Sequence, residues 1–314
     1  MELSTIRKLP NGLTSRVFPF HVSIKGLEDT VLCRDEEDYD VMVKYIAICA
    51  RRKNVIIVMY AVVSNHSHEG ILARNQLDAS AFGEELKRIY SMWFHRKYKQ
   101  SGILQKVDSQ ALPLENDWHV RNALAYIPRN AIDNHCPVHE YKWSGFRAMF
   151  SIMKEPGRWK AGVRPVSLLT KRERESIMHT GDVLKDVPWM LDEDGMLAPE
   201  SFCDAAYLEQ AFSHDPAFWL KTIGSMNPAE IEEELVNAPR RRVSDAEFFK
   251  AVSDTAKAWF KSDIGQLPLE KKLRLLPFLW RTRKTSVNQL ARVLGLERET
   301  VRKALNVHEA KPAS

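Results

Sequence analysis

Two histidines one residue apart, His66 and His68, follow an apolar run that begins at Val55. Neutral imidazoles are common ligands of divalent metals, and two on one face supply most of a minimal metal shell. Tyr126 and Asn130 stand four residues apart further along the chain. A carboxamide oxygen can complete such a shell, and a phenol beside it is a nucleophile suited to phosphoryl chemistry. Each pair also has an ordinary reading. A bare His-x-His is more often two polar residues where a strand leaves the core, and a single helical tyrosine is more often half-buried core. The coincidence of both pairs with basic segments favours the chemical reading.

The elements that must position these groups follow from periodicity. The β-branched residues of 55–63 predict a buried strand ending at the histidines, and residues i and i+2 of a strand share a face. Trp118, Val120, Ala123, Leu124, Tyr126 and Ile127 predict a helix over 115–130, with Tyr126 and Asn130 on one face. Further strands are expected at 18–24 and near 103–107, and further helices at 37–52 and 79–97. The acids Asp35-Glu36-Glu37-Asp38 suit the first of these helix starts. Alternating strands and helices give an α+β chain whose first part is a ferredoxin-like αβ sandwich. Its helices are expected on one sheet face, with the other face open.

With these pieces in order, residues 18–150 resemble the REP-associated tyrosine transposases, single-tyrosine members of the HUH single-strand nucleases. The resemblance runs through Phe20-His21-Val22-Ser23-Ile24-Lys25-Gly26 and Asn65-His66-Ser67-His68. It continues in Leu86-Lys87-Arg88-Ile89-Tyr90, Phe94-His95-Arg96-Lys97-Tyr98, Ser101-Gly102, Tyr126-Ile127 with Asn130, and Tyr141-Lys142-Trp143-Ser144-Gly145-Phe146-Arg147. It implies an HUH nuclease domain in which His66, His68 and Asn130 bind Mg²⁺ or Mn²⁺ and Tyr126 is the nucleophile. It also implies a 5′-phosphotyrosine intermediate and, as substrates, single-stranded DNA hairpins of repetitive palindromic elements.

The chain departs from that pattern at three positions. The residue between the histidines is usually bulky and apolar, and here it is Ser67, followed on the same side by Glu69. A buried serine and carboxylate without partners are costly. Pro128 stands between Tyr126 and Asn130, where proline removes a helical hydrogen bond and kinks the helix.

Of the 314 residues, 44% are hydrophobic and 28% charged, the balance of an ordinary globular chain of two domains with a small third element. No apolar stretch reaches the length of a membrane span, and the polar start lacks a signal-peptide core. The expectation is a cytoplasmic, nucleoid-associated protein with no membrane partner. Cys33, Cys49, Cys136 and Cys203 are scattered and fit reduced thiols, and His135-Cys136-Pro137-Val138-His139 reads as a loop because no second paired motif accompanies it. No phosphate-binding Walker loop occurs, which argues against ATP-driven chemistry.

Net charge is +5, and its placement is more informative than its size. Between Lys87 and Lys106 there are six Lys or Arg, including Arg88, Arg96 and Lys97, and no acid. Tyr90, Trp93, Phe94 and Tyr98 are interleaved among them. Helical spacing makes some of these core, and the rest give the π-faces that, with the charge, a single strand needs. A solvated lysine face is the ordinary alternative, and the missing acids count against it.

Glu155-Pro156-Gly157-Arg158 suggests a boundary, dividing the chain into 1–155, a helical accessory region over 156–270, and a last element over 271–314. Acids between Asp182 and Asp194 read as solvated surface. Arg240-Arg241-Arg242 precedes a capping signature at 244–247. Residues 286–305 read as a helix-turn-helix with a core of Leu290, Leu296, Val301 and Leu305. Ala291 suits a close helix crossing, and Gly295 a tight turn. Arg298, Arg302 and Lys303 then face outward toward duplex DNA.

The reading that unites these signals is a DNA nicking and strand-transfer enzyme. Its rival is a DNA-binding regulator that keeps the fold and the helix-turn-helix without catalysis, which Ser67, Glu69 and Pro128 favour. RNA binding by the open sheet is a third possibility.

Overall fold

The structure is a computed structural model that describes residues 3–25, 31–99, 107–133, 136–150, 163–225, 245–282, 285 and 287–305. Residues 103–106 of the extended piece expected near 103–107, the 155–158 boundary and Arg240–Arg242 lie outside the described residues, as do Gly26, Ser101 and Gly102. The chain divides into two compact units, 1–236 and 237–314.

The first unit is built on an antiparallel sheet. β1 (Thr5–Lys8) pairs with the first part of β2 (Thr14–Lys25), and β5 (Asp108–Pro113) pairs with its second part. β4 (His66–Ala73) lies on the other side of β2, and β3 (Ile56–Val62) lies beyond it. The chain is therefore α+β. The histidines do not close the first apolar strand as expected. Ser64 and Asn65 turn the chain, with Val63 N–H donating to His66 O at 2.9 Å, and both histidines open β4. Their shared face survives because they remain two residues apart on one strand.

α1 (Glu36–Lys53) starts on the Asp35 side chain, which accepts from Asp38 N–H. Acids fill its first turn and Arg51, Arg52 and Lys53 its last, an order that complements the helix dipole. α1 and α2 (Gln76–Tyr98) cover one sheet face, packing on Phe20, Val22, Ile24, Tyr60 and Ile71. Gly83 is where α2 comes down on the sheet, because a Cβ there would collide with the Ser109 hydroxyl.

The opposite face is not open. α3 (Asp117–Asp133) packs on Val58, Met59, Ala61 and Leu72. α5 (Ala205–Ala211) and α6 (Pro216–Ser225) add Tyr207, Phe212, Trp219 and Ile223 to that layer. Apolar residues on the two sides of the sheet each needed cover, so helices occupy both faces.

The residues beyond 155 help build these cores. Val166, Leu169, Trp189, Leu191 and Leu197 join the α1–α2 side, near α4 (Lys171–Ile177) and the β6–β7 pair (Arg164–Pro165, Met190–Leu191). Asp186 and Asp182 are not simply solvated, since they pair with Arg51 and Arg52 on α1 at 2.8 Å. The compact units therefore divide at 236/237 and not at the expected 155/156.

The second unit contains α7 (Asp245–Phe260), α8 (Leu269–Thr282), α9 (Val287–Leu294) and α10 (Arg298–Leu305). Leu290, Ala291, Leu294 and Val301 join Phe248, Val252, Leu275 and Leu279 in one core, which a boundary at 270/271 would cut. Gly295 takes φ +62° between α9 and α10, a conformation that glycine adopts without strain. No described helix is long and apolar enough to cross a membrane.

Candidate functional site

Alternation along β4 sends His66, His68, Gly70 and Leu72 toward α3, and Ser67, Glu69, Ile71 and Ala73 toward α1 and α2. Gly70 sets the approach of α3. A Cβ there would stand 2.8 Å from Leu124 Cδ2 and 3.2 Å from Ile127 Cδ1, so a larger residue would push the helix away. With the helix seated at that depth, the Tyr126 ring lies against His68, with centroids 5.2 Å apart and edge-on.

Pro128 does not misplace Asn130. Proline has no N–H for the Leu124 carbonyl, and the Trp219 indole Nε1–H donates to that carbonyl at 3.4 Å. The Asn130 side-chain amide donates to the Tyr126 and Ile127 carbonyls at 3.0 and 3.1 Å. These two bonds fix which end of the carboxamide is oxygen, and Asn130 Oδ1 faces His66 Nε2 at 3.1 Å.

His66 thus meets carboxamide oxygens at both ring nitrogens, because its Nδ1 lies 2.7 Å from Asn65 Oδ1. His66 and His68 rings are 4.8 Å apart. The four residues expected from sequence, His66, His68, Tyr126 and Asn130, are therefore brought together by β4 and α3. His68 and Asn130 are buried, Tyr126 is 5% exposed, and His66 is half-buried near the sheet end.

A fifth residue joins them. His21 on β2 places Nε2 3.0 Å from His68 Nδ1, with the rings 5.0 Å apart. Both imidazoles are buried, and burial holds both neutral at ordinary pH. His21 is lowered to about 3, with the Lys25 charge adding to the effect. His68 is lowered well below the usual histidine range, with His66, His21 and Lys25 contributing. His68 Nε2 is buried and has no hydrogen-bond partner. The sequence alone gives His21 no role, because its partner is distant along the chain. The available signal was polar His21 and Ser23 alternating with apolar Phe20, Val22 and Ile24.

Among the described residues no three His, Cys, Asp or Glu converge as a metal-binding group. A three-donor set here therefore draws on the Asn130 amide together with His66 and His68. The donor chemistry suits a divalent cation of intermediate hardness. Two ligands at about 2.1 Å from one ion and at a right angle lie about 3 Å apart, close to the His66–Asn130 separation.

The basic helix is arranged differently from expectation. Tyr90, Trp93 and Phe94 are core residues, so they offer no exposed π-face to a base, and the Arg34 guanidinium covers Tyr98 at 4.4 Å. Acids absent from 87–106 arrive from elsewhere. Lys87 pairs with Glu84 at 2.9 Å and Arg88 with Glu85 at 2.8 Å. Lys97 is enclosed by Asp35, Glu37 and Asp38 at 2.7–2.8 Å. Arg96 remains exposed. These residues belong to α2, on the sheet face opposite the histidines. In the second unit Arg298 and Lys303 are exposed, and Arg302 lies 3.3 Å from Glu299.

No protein-family model and no curated protein matches the chain. Among solved structures the chain is similar to a REP-associated tyrosine transposase bound to a REP hairpin. The identity is 15% and the TM-score 0.35, over 48% of this chain and 88% of that one.

Proposed function

We propose that the first unit is a metal-assisted, single-tyrosine DNA nicking and strand-transfer centre in a ferredoxin-like HUH domain. The observation that supports it most is the pair of oxygens facing His66. A neutral imidazole has one proton to donate, and two acceptors face it. With that proton on Nδ1 toward Asn65, the Nε2 lone pair faces the Asn130 oxygen lone pairs, as two ligands of one cation do.

His66, His68 and Asn130 would hold Mg²⁺ or Mn²⁺, which would supply Lewis-acid polarisation of a phosphate oxygen of the bound strand. Tyr126, beside His68, supplies the nucleophile. Its phenolic oxygen gives up its proton and bonds to phosphorus as the bond to the 3′-oxygen breaks, and the departing oxygen takes up a proton to leave as a 3′-hydroxyl. The 5′-phosphotyrosine keeps the bond energy, so another 3′-hydroxyl reverses the step without ATP. The substrates in this reading are single-stranded hairpins of repetitive palindromic type. Exposed Arg96 is the α2 residue best placed to meet phosphate, with Lys87, Arg88 and Lys97 already matched by acids. α9 and α10 form a helix-turn-helix that adds duplex DNA through Arg298, Arg302 and Lys303.

The test is incubation of the full chain with labelled hairpin single strand and Mn²⁺, followed by denaturing electrophoresis. An SDS-resistant adduct that disappears in Tyr126→Phe, with hairpin affinity kept, is the expected result. An undiminished adduct in that variant would move the nucleophile to another tyrosine. Hairpin binding with no adduct in the parent would favour the regulator reading, which Glu69, buried with both carboxyl oxygens unpartnered, also supports.

A further inference from the structure

Strand pairing places His21 directly opposite Gly70, and Ser23 opposite His68. His21 and His68 are thus diagonal neighbours, within reach of side chains of this length. Gly70 has no side chain to compete for the position between them. His21 and His68 meet ring nitrogen to ring nitrogen at 3.0 Å, with the planes 24° apart.

Two neutral imidazoles share one proton in such a contact, and the choice has consequences at the far side of His68. If His21 Nε2–H donates, His68 must carry its own proton on Nε2. That nitrogen is buried without a partner, and a buried donor with no acceptor bears its full desolvation cost. If His68 Nδ1–H donates, the bare nitrogen is Nε2, a lone pair held inside the site beside His66 and Tyr126.

We infer that His21 is a positioning residue: its Nε2 accepts the Nδ1 proton of His68 and so presents His68 Nε2 as a metal-binding nitrogen. This role rests on the metal reading of the site. An outer hydrogen bond that fixes the tautomer and orientation of a ligating histidine is a general way of raising its affinity for a cation. His21 needs no charge for the task. Its own contact with the cation is not required, since its Nε2 is occupied by His68.

The role is tested with the full chain labelled with ¹⁵N at histidine, without metal and then with Mn²⁺ alone. In the parent, His68 is expected to show a protonated Nδ1 and a bare Nε2. His21→Phe keeps a ring and removes the acceptor. It should change the His68 nitrogen signals toward a mixture of tautomers and weaken Mn²⁺ binding by about 10- to 100-fold. His21→Gln, whose amide oxygen can accept the same proton, should hold Mn²⁺ within a few-fold of the parent. A purely structural role would give no such rescue.

A parent His68 protonated on Nε2 overturns the inference, whether or not the variants fold. Equal Mn²⁺ affinity and unchanged His68 signals in a folded His21→Phe also overturn it, while leaving the metal reading intact. A parent that binds no Mn²⁺ ends the metal reading and this role together.

Discussion

The Trp219 indole donates to the Leu124 carbonyl, the helical acceptor that Pro128 leaves without its usual donor. The contact joins α6 to the turn of α3 that carries Tyr126. Trp219 is fully buried and stacks on Phe146, with ring centroids 4.9 Å apart.

Replacing Trp219 by Phe should therefore destabilise the first unit beyond the loss of ring area. The Leu124 carbonyl would be left buried without a donor, at about 1–3 kcal/mol. Pro128→Ala restores a backbone N–H at that position, so the cost of Trp219→Phe should fall by about 1 kcal/mol in that background. Denaturant unfolding of the four proteins in the double-mutant cycle checks this. Strict additivity would mean that the indole does not replace the missing helical bond.

Asn130 is held by two carbonyls of its own helix, so its substitution should affect the metal as strongly as loss of a histidine. Asn130→Ala, His66→Ala and His68→Ala are each expected to lower Mn²⁺ affinity by roughly 10-fold or more and to suppress the covalent adduct. EDTA should do the same to the parent. Asn130→Asp keeps an oxygen donor and should retain more binding than Asn130→Ala. Calorimetry with Mn²⁺ measures each variant, and full adduct formation in excess EDTA would remove the metal from the reaction.

Glu69 lies on the far side of β4 from the histidines and is fully buried between Val22 and Tyr60. Burial pushes its carboxyl up to about 8, and nearby Ser67, which makes no well-formed hydrogen bond to it, only partly opposes this. An unfolded glutamate titrates near 4.5. Between those values the unfolded chain has released a proton that the folded chain keeps, so stability falls as pH rises from 4.5 toward 8 and then levels off. The span corresponds to roughly 3–5 kcal/mol. Glu69→Gln should flatten this slope, and Glu69→Leu should raise the melting temperature more at about pH 8 than at about pH 5. Parallel pH profiles for parent and Glu69→Gln would show that the carboxyl is not the group responsible.

Local periodicity made β2, α1, α2 and α3 legible, because each shows a face to the core at regular spacing. The hairpin at Ser64 and Asn65 was harder to see, since apolar residues flank it closely and the turn is short. What sequence did not reveal depends on pairing across distance. His21 meets His68 only through the register of β2 against β4. The acids around Lys97 come from the start of α1, and the donor for the Leu124 carbonyl comes from α6. A ferredoxin-like layout by itself leaves one sheet face open. In the folded chain, Tyr207, Phe212 and Trp219 cover that face.

In the second unit, α9 and α10 are joined through Gly295, Leu296 and Glu297, and Leu296 N–H closes the turn on the Ala291 carbonyl at 2.9 Å. Arg298 and Lys303 are exposed on α10, while Arg302 shares its charge with Glu299. If this hairpin reads duplex DNA, each arginine neutralises about one phosphate. Arg298→Ala with Arg302→Ala should then flatten the salt dependence of duplex binding by roughly one to two units. Arg302 should contribute the smaller part, because Glu299 must be displaced before it can meet phosphate. Adduct formation on a short hairpin should continue in the double variant, since neither arginine belongs to the first unit. Duplex affinity measured across a salt series decides the matter. An unchanged slope would make α9 and α10 a structural hairpin and remove the second DNA site.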